Sequence, residues 1–398
     1  MFTFTFVTLV ATIGQPGDLD TLLKKLDSSD RETRLAAIVG LAEHGPKAKS
    51  AVRELVAKLK QNDEELRLNA AITLGKIGGD ATIEVTKLLD GGDVDSRYYA
   101  LSALGWIGPG AKSATAKILT ITTDKDAGLR AKAAFALGRV GADPKVAIKP
   151  LLKLLTEENE AVRVSAGDAL GRFKAVAVPG LIEALKDDAI DMRIEAARTL
   201  GAIGAKAKDA VPALQHVAGD ANDKSADEAV RALVKLGKPA VAAVAVLLED
   251  PKSEARQRTL KSLEKAGAGA SVLLANALAS KHLDVRRGAS RSLVVLNLRE
   301  EAILPSLTQA LRDPDVEVRR HVMQSLYRVA VGARGAVPNL IVNLKDANAE
   351  MRLLALNVLR EIPGESEAVV RAVTPLLQDI DENVRRLAKE VLAFQGKP

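Results

Sequence analysis

One pattern recurs along almost the whole chain: an arginine, a small residue three positions later and a leucine seven positions later. The arginine falls at Arg34, Arg67, Arg97, Arg130, Arg163, Arg193, Arg256, Arg286, Arg319, Arg352 and Arg385, and Ala229 takes the slot in one degenerate copy, which makes twelve units. Their spacings run from 27 to 36 residues, a period that belongs to stacked helical units. The leucine is present in all twelve copies, from Leu41 to Leu392, and the small residue is alanine in ten, with Thr259 and Val322 the exceptions. Offsets 0, 3, 4 and 7 from the arginine share one face of an α-helix, and alanine on that face lets a neighbour approach closely. Four residues before the arginine stand Asp30, Asp63, Asp93, Asp126, Asp315 and Asp381, with Asn159 and Asn348 in the same place. These residues are placed to cap the helix and to face the arginine one turn later, so the arginines read as a structural ladder.

A helix of this length fills less than half of the period, and the remainder carries a second apolar periodic segment, as in SAVRELVAKLK and PAVAAVAVLL. Pro179, Pro212 and Pro338 stand at the openings of such segments, where a missing amide hydrogen costs nothing. Stacking also suits the composition: 398 residues exceed one ordinary core, and aromatics are only 3% of the chain, so Leu, Val, Ile and Ala must fill thin layers. The expected architecture is all-α, an α-solenoid of about twelve helix pairs over residues 18–398. Apart from FTFTFVTL near the N-terminus, no alternating run marks a strand, and no run of 18 apolar residues marks a membrane-spanning helix. Repeats two to seven carry glycine directly after the leucine (Gly75, Gly105, Gly138, Gly171, Gly201, Gly237) and later repeats do not, so the two halves should pack differently. Around the seventh repeat the arginine is missing and the turn is polar, which places an expected flexion point near 218–228.

The Ala-Val-Pro-x-Leu opening, the capping Asp, the Arg-x-x-Ala-x-x-x-Leu helix and the trailing Gly together resemble a HEAT-repeat protein, of the short HEAT-like variety known from the phycobilisome bilin-lyase family. The resemblance covers residues 18–398 and implies a right-handed superhelix of antiparallel helix pairs whose members mostly hold other proteins. It also implies that the second helices line the concave side. Tetratricopeptide and ankyrin arrays have similar periods, but neither signature is present.

The residues opposite the Ala/Leu face, at offsets 2, 5, 6 and 9, form the expected working surface. They include thirteen Lys or Arg and five Asp or Glu, an excess larger than the net charge of +6 on the whole chain. Candidate partner-binding cations are Lys132, Arg139, Arg172, Arg198, Arg231, Lys238, Arg258, Lys261 and Arg291. The scarce aromatics Tyr99, Trp106 and Phe135 fall on the same arc, with Tyr98 beside them, and exposed Trp and Tyr are frequent anchors of protein interfaces. Such a surface would attract an acidic partner. Helix-end cations are also favoured by the helix dipole whatever the function, and Trp106 can equally pack over the following turn.

Catalytic chemistry finds little support. Cysteine is absent, which removes thiol catalysis and Cys-ligated metals. His44, His216, His282 and His321 lie in different repeats without an i, i+4 partner, and no His-Glu dipeptide of the deoxyhypusine hydroxylase kind occurs. GWIGPGAKS resembles a phosphate-binding loop but lacks the spacing and the preceding strand, and reads as an inter-helix turn. The resemblance leaves a bilin-lyase activity open, with no catalytic positions to carry over; HEAT-like alkylpurine glycosylases want an aromatic and acidic cluster that Trp106, Tyr99 and Asp168 match poorly. The expectation is a non-catalytic, monomeric scaffold or adaptor without a cofactor, binding a protein or extended peptide; the alternative is a module for nucleic acid or another acidic polymer. Residues 1–17 are apolar and Thr-rich, like the core of a secretory signal without its basic start, and export, a tail or an edge strand are the competing readings.

Overall fold

The computed structural model describes residues 17–220, 224–297, 300–362 and 367–395. The N-terminal segment expected to direct export or form a strand lies outside the described residues. Among them, twelve short first helices, from Leu19–Lys25 to Glu367–Val373, alternate with twelve longer second helices, from Arg31–His44 to Glu382–Gln395, and there is no strand. The chain is an all-α solenoid of twelve helix pairs, numbered here as repeats one to twelve. No described helix is long and apolar enough to cross a membrane.

Local chemistry sets the helix ends. Asp30, Asp63, Asp93, Asp126, Asn159, Asp315, Asn348 and Asp381 each accept a backbone amide from the first turn of the following second helix, as their spacing predicts. Second helices end on left-handed residues such as Gly78 (φ 87°) and Gly108 (φ 68°), a conformation glycine adopts without a Cβ clash. Repeat five puts Lys174 in that conformation, at φ 54° and ψ −131°. Short 3₁₀ turns then lead into the first helices, and their alanines (Ala48, Ala111, Ala207, Ala333) are buried. GWIGPGAKS belongs to such a turn, Gly108–Ala114. Pro179, Pro212 and Pro338 occupy the first turns of their helices.

Internal contacts divide the chain into two units, Met1–Thr199 and Leu200–Pro398, with the division inside the helix Ile190–Ile203. The polar turn near 218–228 lies within the second unit, and its residues 221–223 are outside the described set.

In repeats one to five each first helix packs on the second helix of its own repeat, and second helices of successive repeats pack side by side. That lateral packing corrects the expected solvent arc. Offset 6 faces the neighbouring second helix and is buried at Thr73, Ala103, Ala136, Ala169 and Thr199; the Thr73 hydroxyl donates to the Ile38 carbonyl of the preceding repeat at 3.1 Å. Offset 1 faces outward instead, exposing Leu68 and Val164. The glycines after the leucine admit this approach. A Cβ on Gly75 would stand 2.6 Å from the Trp106 Cβ, one on Gly105 2.4 Å from the Phe135 ring, and one on Gly138 2.7 Å from the Ala169 Cα. Gly171, at the equivalent place in repeat five, has open space around it.

The second unit repeats this packing: offset 6 is buried at Ser262, Ser292, Ser325, Val358 and Val391, and a Cβ on Gly201 would lie 3.1 Å from the Ala232 Cα. The invariant leucines are buried in both units except Leu392, which is half-buried.

The arginine ladder is structural, but its partners differ from those expected. The arginines do not pair with their own capping acids. Nine of the eleven donate Nη1 to two carbonyls of their own inter-helix turn, five and six residues upstream. The other edge of the guanidinium reaches a carboxylate of the next repeat: Arg97 to Asp124 at 2.6 Å and Arg130 to Glu157 at 2.7 Å in the first unit, and Arg286 to Asp313, Arg319 to Asp346 and Arg352 to Asp379 at 2.6–2.7 Å in the second. Each of these acids stands six residues before the next arginine and offers it a carbonyl, as Asp313 does to Arg319 and Asp379 to Arg385. One residue thus joins two successive arginines.

Candidate partner-binding site

Repeats three to five of the first unit bring four of the expected site residues together. Tyr98 lies on the outward offset 1 of the helix Val94–Ile107, and Lys132, Phe135 and Arg139 follow one another at roughly helical-turn spacing on and just past Ala127–Leu137. The Lys132 Nζ sits over the Tyr98 ring, 4.6 Å from its centroid, and 5.2 Å from that of Phe135; the Arg139 guanidinium lies 4.8 Å from the Phe135 centroid. These rings hold the cations in place while leaving their outer faces to solvent. The Phe135 ring is itself set by Gly105, whose missing side chain makes the room it occupies.

Arg172 joins from repeat five. Its Cδ passes 3.2 Å from the position a Cβ would take on Gly138, the residue before Arg139, so the two guanidinium-bearing chains converge over that glycine. Burial, with the charge of Arg172 beside it, holds Arg139 below the usual arginine range. Among the described residues none of Lys132, Arg139 and Arg172 makes an ion pair, and Asp168, one turn before Arg172, does not reach it. The Arg139 Nε is buried with no hydrogen-bond partner.

Other expected residues are placed differently. Tyr99 is buried rather than solvent-facing, because offset 2 turns toward the preceding second helix: its ring packs edge-on against Tyr98 at 5.3 Å, and Arg67 lies 5.8 Å from its centroid. Burial, and then the nearby Glu64 carboxylate, push its hydroxyl up to about 12. Trp106 is half-buried, and its Cβ and backbone abut Gly75 of repeat two. Arg198 is tied to the buried Glu195 at 2.9 Å, and Glu195 also faces Arg163 at 3.5 Å. In the second unit Arg231 is tied to the buried Glu228 at 2.5 Å, and Arg258 donates to the Asp220 carbonyl at 3.0 Å. The free charge is therefore smaller than the four offsets suggest, since Glu228, which pairs with Arg231, lies outside them. Lys238, Lys261 and Arg291 are exposed. A groove that charge counting missed lies between the second helices of repeats ten and eleven: a cavity of about 480 Å³ lined by Met323, Gln324, Tyr327, Leu354, Asn357 and Val358 among others.

Comparison with known proteins agrees with this architecture. A family model described as HEAT repeats matches residues 19–90, 84–170 and 148–233, more than half of the chain. The chain belongs to the HEAT-repeat family. No curated protein shows significant sequence similarity to it. Among solved structures, this HEAT-repeat chain is similar to Kap121p bound to Ste12p, at 14% identity and a TM-score of 0.51, over 95% of this chain and 48% of that one. Yeast importin-beta (Kap95p) matches at 12% identity and a TM-score of 0.48, over 94% and 64% of the two chains. An engineered protein matches at 21% identity with a TM-score of 0.30, over 95% and 99%. The chain spans about half the length of Kap121p. At these identities the likeness concerns the fold alone.

Proposed function

We propose that this HEAT-repeat protein is a non-catalytic scaffold or adaptor, and that the outward face of the second helices in repeats three to five receives an acidic segment of a protein partner. The observation that carries the reading is the set of three cations, Lys132 and Arg139 held on aromatic rings and Arg172 meeting Arg139 over Gly138, with no carboxylate partner among the described residues. Arg198 and Arg231 on the same arc are tied to acids of this chain; these three face an anion that the chain itself does not supply. Tyr98, Phe135 and the half-buried Trp106 add aromatic area of the kind that anchors interfaces. Kap121p, a protein of similar fold, has been crystallised with the protein Ste12p, a precedent for a protein partner on such a scaffold.

The test is fluorescence anisotropy with three probes of equal length: an Asp/Glu-rich peptide, a neutral peptide and a single-stranded oligonucleotide. The acidic peptide should bind and the neutral one should not. Reversing Lys132, Arg139 and Arg172 together to Glu should weaken binding at least about a hundredfold, at roughly 1 kcal/mol or more per reversed contact. Unchanged affinity in the triple variant would refute the reading. Tighter binding of the oligonucleotide, with a steep salt dependence, would move the site to nucleic acid instead.

A further inference from the structure

We infer that the anion this face is built for is a phosphomonoester on a protein side chain, recognised by Arg139 and Arg172; this rests on the reading above and names the chemistry of the acidic segment. Three independent features of the site converge on it.

The first is convergence. Gly138 lacks the side chain that would keep repeats four and five apart, and the Arg172 stem crosses the space left over it, 3.2 Å from where a Cβ would be. Two guanidinium groups from successive repeats are thereby brought to one place without an intervening carboxylate. A guanidinium presents a planar fork that matches phosphate oxygens two at a time, and two forks match an anion with three oxygens better than one with two.

The second is the penalty borne without a ligand. Arg139 is partly buried, has a like charge beside it, and leaves its Nε buried with no partner. The ladder arginines that also leave Nε unpaired, such as Arg97 and Arg130, donate their terminal nitrogens to carboxylates, whereas the Arg139 side chain makes no hydrogen bond among the described residues. Groups kept under such strain mark a place where something outside the chain supplies the compensation. A phosphomonoester, at about −1.5 to −2 charges near neutral pH, offsets two adjacent cations where a single carboxylate leaves one uncompensated.

The third is the surrounding shape. Phe135 backs Arg139 at 4.8 Å and, with Tyr98, backs Lys132, so the cations present their outer faces in a fixed arrangement. Lys132 is then placed to meet a second acidic group on the same segment rather than the phosphate itself.

The test uses the full chain and three peptide mixtures that differ only at a central position: phosphorylated (Ser, Thr or Tyr), unmodified Ser, or Glu, with random flanking residues. The phosphorylated mixture should bind at least tenfold more tightly than the Glu mixture, and inorganic phosphate should compete. Arg139→Lys, which keeps the charge and loses the fork, should lose about fivefold of that preference, and Arg139→Met should lose all of it. Arg139→Met should also leave the melting temperature of the unliganded protein unchanged or higher, a result that a purely structural arginine would not produce. Equal binding of the phosphorylated and Glu mixtures would overturn the phosphate assignment and leave the acidic-segment reading standing. Binding of none of them would overturn both. A drop of several degrees in the melting temperature of Arg139→Met would assign Arg139 to the fold and overturn the inference.

Discussion

The close approach of second helices makes a prediction whose sign differs between two chemically identical substitutions. Gly138 and Gly171 both follow the invariant leucine, in repeats four and five, and both have helical or near-helical backbone; Gly138 is at φ −67° and ψ −15° and Gly171 lies inside Glu160–Phe173. Helix propensity alone says that Ala at either place stabilises the protein by up to about 1 kcal/mol. At Gly171 nothing lies within 4 Å of the added methyl group, so Gly171→Ala should stabilise by about 0.5–1 kcal/mol. At Gly138 the same carbon would meet the Ala169 Cα at 2.7 Å and its Cβ at 2.9 Å. Carbon atoms need about 3.5 Å, so the helices of repeats four and five must separate by close to 1 Å, and backbone cannot swing aside as a side chain can. Overpacking of this kind costs about 1–3 kcal/mol, which leaves Gly138→Ala destabilised by roughly 1–2 kcal/mol after the propensity gain. Urea unfolding followed by far-ultraviolet circular dichroism, with the midpoints of both variants compared with the parent, measures the difference. Two shifts of the same sign would show that the close approach at Gly138 is not what sets its identity. Because Arg172 crosses Gly138, Gly138→Ala should also weaken binding of the acidic peptide, whereas Gly171→Ala should not.

Lys174 occupies a left-handed conformation in which repeats one to four and six to eight use glycine, so Lys174→Gly should stabilise by about 1 kcal/mol, the relief of strain exceeding the added freedom of the unfolded chain; thermal melts check the sign. The Arg352–Asp379 clamp is buried on both sides, and Asp379→Asn should destabilise by roughly 2–4 kcal/mol near neutral pH. Burial alone would raise the Asp379 carboxyl, but the Arg352 hydrogen bonds and the Asp381 amide hold it below the usual range. Its contribution is therefore complete above the unfolded carboxylate value near 4 and is lost as the pH falls through the lower folded value, so the gap between variant and parent should close in acid. Tyr99 should ionise near pH 12 in an ultraviolet titration. Stability from its neutral hydroxyl is complete below the ordinary tyrosine value near 10 and is lost as pH rises through 12, and Tyr99→Phe should remove that late step.

The repeat, the twelve helix pairs, the caps and the buried leucine face were legible from the chain alone because each depends on residues within one or two turns of each other. The acid six residues before the arginine was equally visible in the alignment, at Asp124, Glu157, Asp313, Asp346 and Asp379, but its role was not: it sits 27 residues beyond the arginine it binds, and no local rule pairs them. For the same reason the position of offset 6 on its own helix points to solvent. A lone helix presents offsets 5 and 6 alike to solvent, and only the neighbouring second helix covers Ala136 and Ala169 while leaving Asp168 exposed.

Charge shows the same division. Composition along the helices established that cations outnumber acids on one side, since that is a matter of which residues occur at which offsets. The Glu195–Arg198 and Glu228–Arg231 pairs stand three residues apart on one helix and lie within reach of the sequence; tertiary packing decided the rest, tying Arg258 to the Asp220 carbonyl and bringing Arg139 and Arg172 together over a glycine with no acid at hand. Electrostatic pairing acts over a few ångströms in space, whereas periodicity records only the position of each residue on its own helix.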